Sequence, residues 1–236
     1  IENAKAAGFH NLNIDLIYGL PGLNSRDWEQ NLRKAFQMDI QHISAYHLTF
    51  EPGTVFDHWR KKGRLNPVED EASLEQFSML KQLSAEKNFI HYEISNFAKE
   101  GYFSGHNSLY WKQVPYIGIG PSAHSFMNNE RRWNISSNKA YIKKVLETGD
   151  NYYEKEILSQ DDHYNEFMLT SLRTCWGIDL NQLQDRFGNN YVKYTKEIAG
   201  KFIKRGELEK SGEKIYLSDK GMLMSDFIIR EFFRVV

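Results

Sequence analysis

Residues 12–48 hold the stretch that most limits how this chain can fold. Residues 12–20 are a near-continuous apolar run, with Ile14, Leu16 and Ile17 around a lone Asp15. A run of that kind predicts a parallel strand buried on both faces. Gly19-Leu20-Pro21-Gly22 then breaks the run, and Ser25 is placed to cap a helix. That helix carries Trp28, Leu32 and Phe36 at four-residue spacing, a single apolar stripe. A second strand follows at residues 43–48. Strand, helix and parallel strand in a right-handed crossover form the repeat of α/β barrels and doubly wound sheets. Because the chain starts at Ile1 on what reads as the tail of a helix, we expect it to be the C-terminal part of something longer.

After the turn Glu51-Pro52-Gly53-Thr54 comes a basic connector (Arg60, Lys61, Lys62, Arg64) that reads as a solvated face. Residues 69–87 predict a core helix, with Leu74, Phe77, Leu80 and Leu83 at helical spacing. His91-Tyr92-Glu93-Ile94 predicts a short strand, and residues 137–149 a helix bounded by Ser137 and Gly149. After Asp150 the character changes. Residues 161–174, 179–187 and 191–205 read as three helices, residues 207–217 as a hairpin, and Ser218 onward through Phe233 as a last helix. The expectation is therefore an α/β fold, with closing βα units of a partial, TIM-like barrel in residues 1–150. A mostly α, winged-helix-like domain follows in residues 151–236.

Composition narrows the function classes. A formal net charge of -1, with acids mixed among bases on the proposed helices and wing, gives no electrostatic footprint for nucleic acid. No apolar run approaches a membrane span, so no transmembrane segment is expected. The lone Cys175 fits a reducing, cytoplasmic setting and excludes a cysteine-held iron–sulfur cluster built from this chain alone.

The chemistry concentrates in residues 91–125. His106-Asn107-Ser108-Leu109-Tyr110-Trp111 is followed by the turn Gly118-Ile119-Gly120-Pro121 and then His124. A neutral imidazole is an axial ligand for haem iron, and flat aromatic rings cover a porphyrin face. On a helix, His106 and Tyr110 would share one side. Asn107 can orient a ligand carboxylate or cap the turn. The same residues suit a packed, hydrogen-bonded loop, and chemistry alone leaves both readings open. His124 is either a second ligand or a support for the Gly-Pro turn, and Glu93 either an acid–base group or a structural partner. His47 and His91 have no distinctive neighbours. Asp15, near the C-terminal end of its strand, either bonds a ligand or is satisfied by neighbouring groups.

Five segments taken in order resemble the HemW family. They are Asp15-Leu16-Ile17-Tyr18-Gly19-Leu20-Pro21-Gly22, Ile43-Ser44-Ala45-Tyr46-His47-Leu48, Tyr92-Glu93-Ile94-Ser95-Asn96-Phe97-Ala98, His106-Asn107 with Tyr110-Trp111, and Gly118-Ile119-Gly120. HemW proteins are radical S-adenosylmethionine relatives of the oxygen-independent coproporphyrinogen III oxidase HemN. The resemblance implies a haem chaperone that passes haem to an acceptor protein, with oxidative decarboxylation of coproporphyrinogen III as the alternative. It makes His106 the haem-iron contact and gives Asn107, Tyr110 and Trp111 the shaping of its site. Asp15 matches the acid that contacts S-adenosylmethionine. The family's cysteine motif for a [4Fe-4S] cluster is absent, so this chain alone should do no radical chemistry. An unpaired barrel edge would favour dimerisation or aggregation.

Overall fold

The computed structural model describes residues 1–234. The chain divides into two compact units, residues 1–105 and the part from His106 onward.

In the first unit, helix α1 (Glu2–Ala6) precedes strand β1 (Asn13–Tyr18), helix α2 (Ser25–Gln37) and strand β2 (His42–His47). β1 and β2 pair in parallel, Ile14 opposite Ile43 and Leu16 opposite Ala45, so the expected strand–helix–strand unit is present. Its helix starts one residue earlier than the sequence suggested. Asn24 is the cap, accepting a bond from the Asp27 backbone N–H at 2.9 Å, while Ser25 Oγ donates to Glu75 at 2.7 Å. Helices α3 (Val55–Lys61) and α4 (Asp70–Glu86) follow, then strands β3 (Ile90–Glu93) and β4 (Asn96–Ala98). The sheet order is β1-β2-β4-β3, and β4 runs antiparallel to both neighbours. Only two residues, Ile94 and Ser95, separate β3 from β4, which permits a hairpin and forbids a parallel crossover.

α2 and α4 cover one face of this sheet. Trp28, Leu32, Ile43, Phe77, Leu80 and Phe97 pack there, all buried. Gln76 locks the turn after β1: its side-chain oxygen accepts from the Gly19 backbone N–H and its amide donates to the Leu23 carbonyl, both at 2.9 Å. The expectation that β1 is buried on both faces fails. Exposure alternates along the strand, with Asn13, Asp15 and Ile17 exposed, because β1 is an edge strand with helices on one side only. The basic connector is also partly helical. Thr54 caps α3, and Lys61 and then Arg60 hold the buried Asp57 carboxyl well below the usual carboxylate range.

The second unit carries helix α5 (Gly105–Trp111), which starts at the boundary. Then come strand β5 (His124–Met127), strand β6 (Glu130–Asn134), helix α6 (Asn138–Glu147) and strand β7 (Tyr153–Ile157). β5, β6 and β7 form an antiparallel sheet that periodicity did not reveal. Pairing of residues 153–157 with 130–134 means that a division at 150/151 falls within the segment joining two partners of one sheet.

Helix α7 (Gln160–Leu172), strand β8 (Ile178–Asp179), helix α8 (Leu180–Phe187), helix α9 (Asn189–Lys204) and the hairpin β9 (Leu208–Ser211) and β10 (Lys214–Leu217) complete a winged-helix order. β10 lies between β8 and β9, and β8 was missed because two residues carry no periodic signal. Tyr164, Met168, Ile178, Leu183, Phe202 and Ile228 are among its buried core. The expected single last helix is two, α10 (Asp219–Met222) and α11 (Ser225–Glu231). Among the described residues, no helix is long and apolar enough to cross a membrane.

Candidate functional site

The segment His106–Trp111 is helical, so its side chains separate by face. His106, Leu109 and Tyr110 sit three and four residues apart on one side. That side is open: Leu109 is 54% and Tyr110 51% exposed, and His106 is exposed beside them. Asn107 and Trp111, also four apart, are half-buried on another side. The four residues expected to act together are therefore on one short helix, two open and two inward.

After α5 the chain turns through Gln113 at φ 55°, a left-handed conformation that costs a non-glycine residue about 1–2 kcal/mol. What stands there is a side chain with partners to find. Gln113 Oε1 accepts from Arg186 at 2.8 Å. The indole N–H of Trp111 and the amide nitrogen of Gln113 are buried donors without a hydrogen-bond partner among the described residues.

Beyond it, Tyr116 and Phe126 exchange both backbone hydrogen bonds at 2.9 Å, and the Tyr116 ring lies 5.5 Å from that of Tyr110. Burial, and then the bond with Tyr110, pushes the Tyr116 hydroxyl up to about 12. A cavity of about 330 Å³ opens here, lined by Tyr110, Trp111, Tyr116, His124, Phe126 and Arg131 among others. Gly118 packs against the backbone of His124, and Asn134 donates to the Gly120 carbonyl at 2.8 Å, which fixes the glycine turn onto β5 and β6. The His124 side chain faces the aromatic cavity, while its backbone supports the turn. An accessible imidazole flanked by aromatic and aliphatic side chains, with open donors nearby, is a donor set that fits haem.

The chain is 32% identical over 234 residues to the haem chaperone HemW of Bacillus subtilis, an alignment that covers 98% of this chain and 61% of that protein. It is 38% identical over 176 residues to HemW of a Synechocystis species, covering 73% of this chain and 42% of the relative. The chain is a HemW homologue. It thus spans about three fifths of the length of the Bacillus HemW. Residues 158–224 match the HemN C-terminal domain. The fold is that of the radical S-adenosylmethionine enzyme HemN from Escherichia coli, with a TM-score of 0.77 at 20% identity over 98% of this chain and 56% of the other.

In this HemW homologue Asp15 lies in the first unit, on the sheet face away from the helices. It is exposed rather than buried, and Asn13 donates to it at 2.8 Å. The same face carries a bonded row that sequence reading missed. His42 Nδ1 donates to Asn13 Oδ1 at 2.6 Å, and the Tyr92 hydroxyl lies 2.7 Å from His42 Nε2. The signal available was the polar–apolar alternation Asn13, Ile14, Asp15, Leu16. Glu93 is buried as a clamp, accepting from the Ser95 backbone N–H and from the Asn96 amide. His47 bonds Ser73 at 2.9 Å and fills the space beside Gly19, and His91 stacks on Phe97 at 4.1 Å. These three read as architecture.

The donor set does not fit a [4Fe-4S] cluster. The single cysteine, Cys175, is exposed, and the described residues contain no group of three His, Cys, Asp or Glu side chains able to hold a metal.

Proposed function

We propose that the protein to which this chain belongs binds haem through His106 and passes it to an acceptor protein. The observation that carries this is the open face of α5, where an exposed imidazole stands beside Tyr110 and Leu109 in a chain homologous to HemW. A ligand on an exposed short helix suits transfer, because haem held at a surface leaves without a core having to open. Asn107, Tyr110 and Trp111 shape its site. Haem here is cargo.

In the same reading Asp15, aligned by Asn13 and His42, contacts S-adenosylmethionine. The [4Fe-4S] cluster belongs to residues outside this chain, and the chain alone does no radical chemistry. We assign the protein to the cytoplasm. We keep residues 1–150 as barrel and haem segment and 151–236 as the C-terminal domain of the family. The oxidase alternative draws on a neighbour of 20% identity, which carries fold alone.

The test is a haem titration followed by absorbance, with His106→Ala alongside. Saturation near one equivalent, with the Soret band lost or shifted in the variant, supports the reading. Identical spectra for the two proteins remove His106 as the ligand. Decarboxylation of coproporphyrinogen III by the longer, cluster-bearing protein, without haem transfer, would favour the oxidase.

A further inference from the structure

We infer that the cavity walled by Trp111, Lys112, Gln113 and Arg186 receives a carboxylate side chain of the bound tetrapyrrole; this rests on the haem-binding reading above. The cavity, about 360 Å³, lies where α5 ends against α7 and α8, and no acidic side chain lines it. Its charged groups are all cationic. The Arg186 guanidinium lies over the rings of Phe167 and Phe187, 5.2 and 5.1 Å from their centroids. The Lys112 ammonium lies over Trp176 at 5.8 Å. Neither cation has a carboxylate partner among the described residues. Both cations are solvent-exposed, and Arg186 donates to the Gln113 side-chain carbonyl oxygen at 2.8 Å.

The neutral groups agree with the charged ones. Two buried N–H donors, from Trp111 and Gln113, have no acceptor among the described residues. A pair of cations and a pair of unused donors ask for the same thing, an anion with several lone pairs. A guanidinium matches a carboxylate in shape. The left-handed backbone of Gln113 is then explained, since a glycine there would relieve strain but remove the amide.

The place of the cavity argues for a tetrapyrrole. Trp111, Gln113 and Thr170 line both this cavity and the aromatic one beside it. His106 lines neither cavity and Glu166 lines the aromatic one, so the ring of a ligand held by His106 rests on the open side of α5 and an acidic arm enters the cavity of Lys112 and Arg186. Trp111 lies five residues after His106, about 7.5 Å along the helix axis and about 140° around it, so a propionate arm of a porphyrin held by His106 reaches the cavity around the end of α5.

The experiment compares haem with haem dimethyl ester, whose propionates are capped, by absorbance titration. The proteins are the native chain, Lys112→Gln/Arg186→Gln, Arg186→Lys and His106→Ala, with circular dichroism melts to confirm folding. The native chain should bind haem about tenfold more tightly than the ester, equivalent to about 1.4 kcal/mol. The double variant should bind both equally, at the ester's affinity and with the native Soret position. Arg186→Lys should keep most of the preference. An unchanged preference in the folded double variant overturns the carboxylate site and leaves haem binding by His106 standing. Equal native affinities for haem and ester, with haem binding weakened by inorganic phosphate, overturn it in favour of a phosphate site. No saturable binding of either pigment to the native chain sinks the haem reading itself, a result separable from the others.

Discussion

Gly118 lies directly against the backbone carbonyl of His124, with no room for a Cβ between them. That contact closes the turn after the aromatic helix onto β5, and Gly118 N–H completes it by donating to Ser125 Oγ at 3.0 Å. Gly118→Ala should therefore destabilise the second unit by about 1–3 kcal/mol through overpacking. Gly105→Ala, where nothing lies within 4 Å of the new methyl, should change stability by less than about 0.5 kcal/mol. Equal denaturation midpoints for the two variants would refute the contact.

The buried His42–Tyr92 pair makes stability depend on pH. Burial holds the His42 imidazole below its ordinary value, against a weaker opposing pull from Asp15. The folded state therefore binds the proton less well than the unfolded chain does. Stability is full above the ordinary imidazole value of about 6.5 and falls as pH drops towards the lower folded value. His163, also held down by burial, adds to the same slope. His42→Gln should flatten part of it between pH 7.5 and 5 in urea melts. Parallel curves for native and variant would rule this origin out.

Removing the other partner tests the bond itself. Tyr92 is fully buried, and its hydroxyl also accepts from the Ser104 backbone N–H at 3.3 Å. Tyr92→Phe leaves both groups without that partner and should cost about 1–3 kcal/mol. A variant as stable as the native protein would show that water replaces the hydroxyl.

Ser159 and Asp162 form a reciprocal cap at the start of α7, and the Ser159 bonds hold the Asp162 carboxyl below its usual range. Ser159→Ala should lower stability by about 1 kcal/mol. Because a depressed carboxylate loses its contribution as pH falls through its folded value, that difference should shrink in acid. Thermal melts of both proteins at pH 7 and pH 3 measure it.

Leu32 has no exposed surface in the core between α2 and the sheet. Leu32→Ala should cost about 2–5 kcal/mol. Ile119→Ala, at a side chain 89% exposed, should stay within about 0.5 kcal/mol. A Leu32 variant no weaker than the Ile119 variant would overturn the assignment of the core.

Helices with strong stripes were legible in the sequence. Trp28, Leu32 and Phe36 marked α2, and the three helices of the C-terminal half lie close to where their periodicity put them. The hairpin of β9 and β10 was marked by its Ser211-Gly212 turn. The sheet of β5, β6 and β7 was not legible, since β6 reads Glu-Arg-Arg-Trp-Asn, with almost no apolar alternation. Its strands are held by pairing and by ion pairs such as Lys155 with Glu130, at 3.0 Å. α3 was hidden for the same reason, as its basic residues resemble a solvated connector until Asp57 is seen buried beneath them.

The site divides in the same way. The sequence by itself put the candidate residues on one helix, because His106, Tyr110 and Trp111 are neighbours along the chain and a helix turns that spacing into faces. It also determined that a cysteine-held cluster does not arise from this chain. Only the tertiary structure decided that Asp15 is exposed, since exposure depends on which side of the sheet α2 and α4 occupy. Only the tertiary structure set Arg186 against Gln113, residues 73 positions apart, and left two buried N–H donors that have no partner among the described residues. Local spacing fixes what one helix presents; a cavity is made by chain segments that meet only when the core closes.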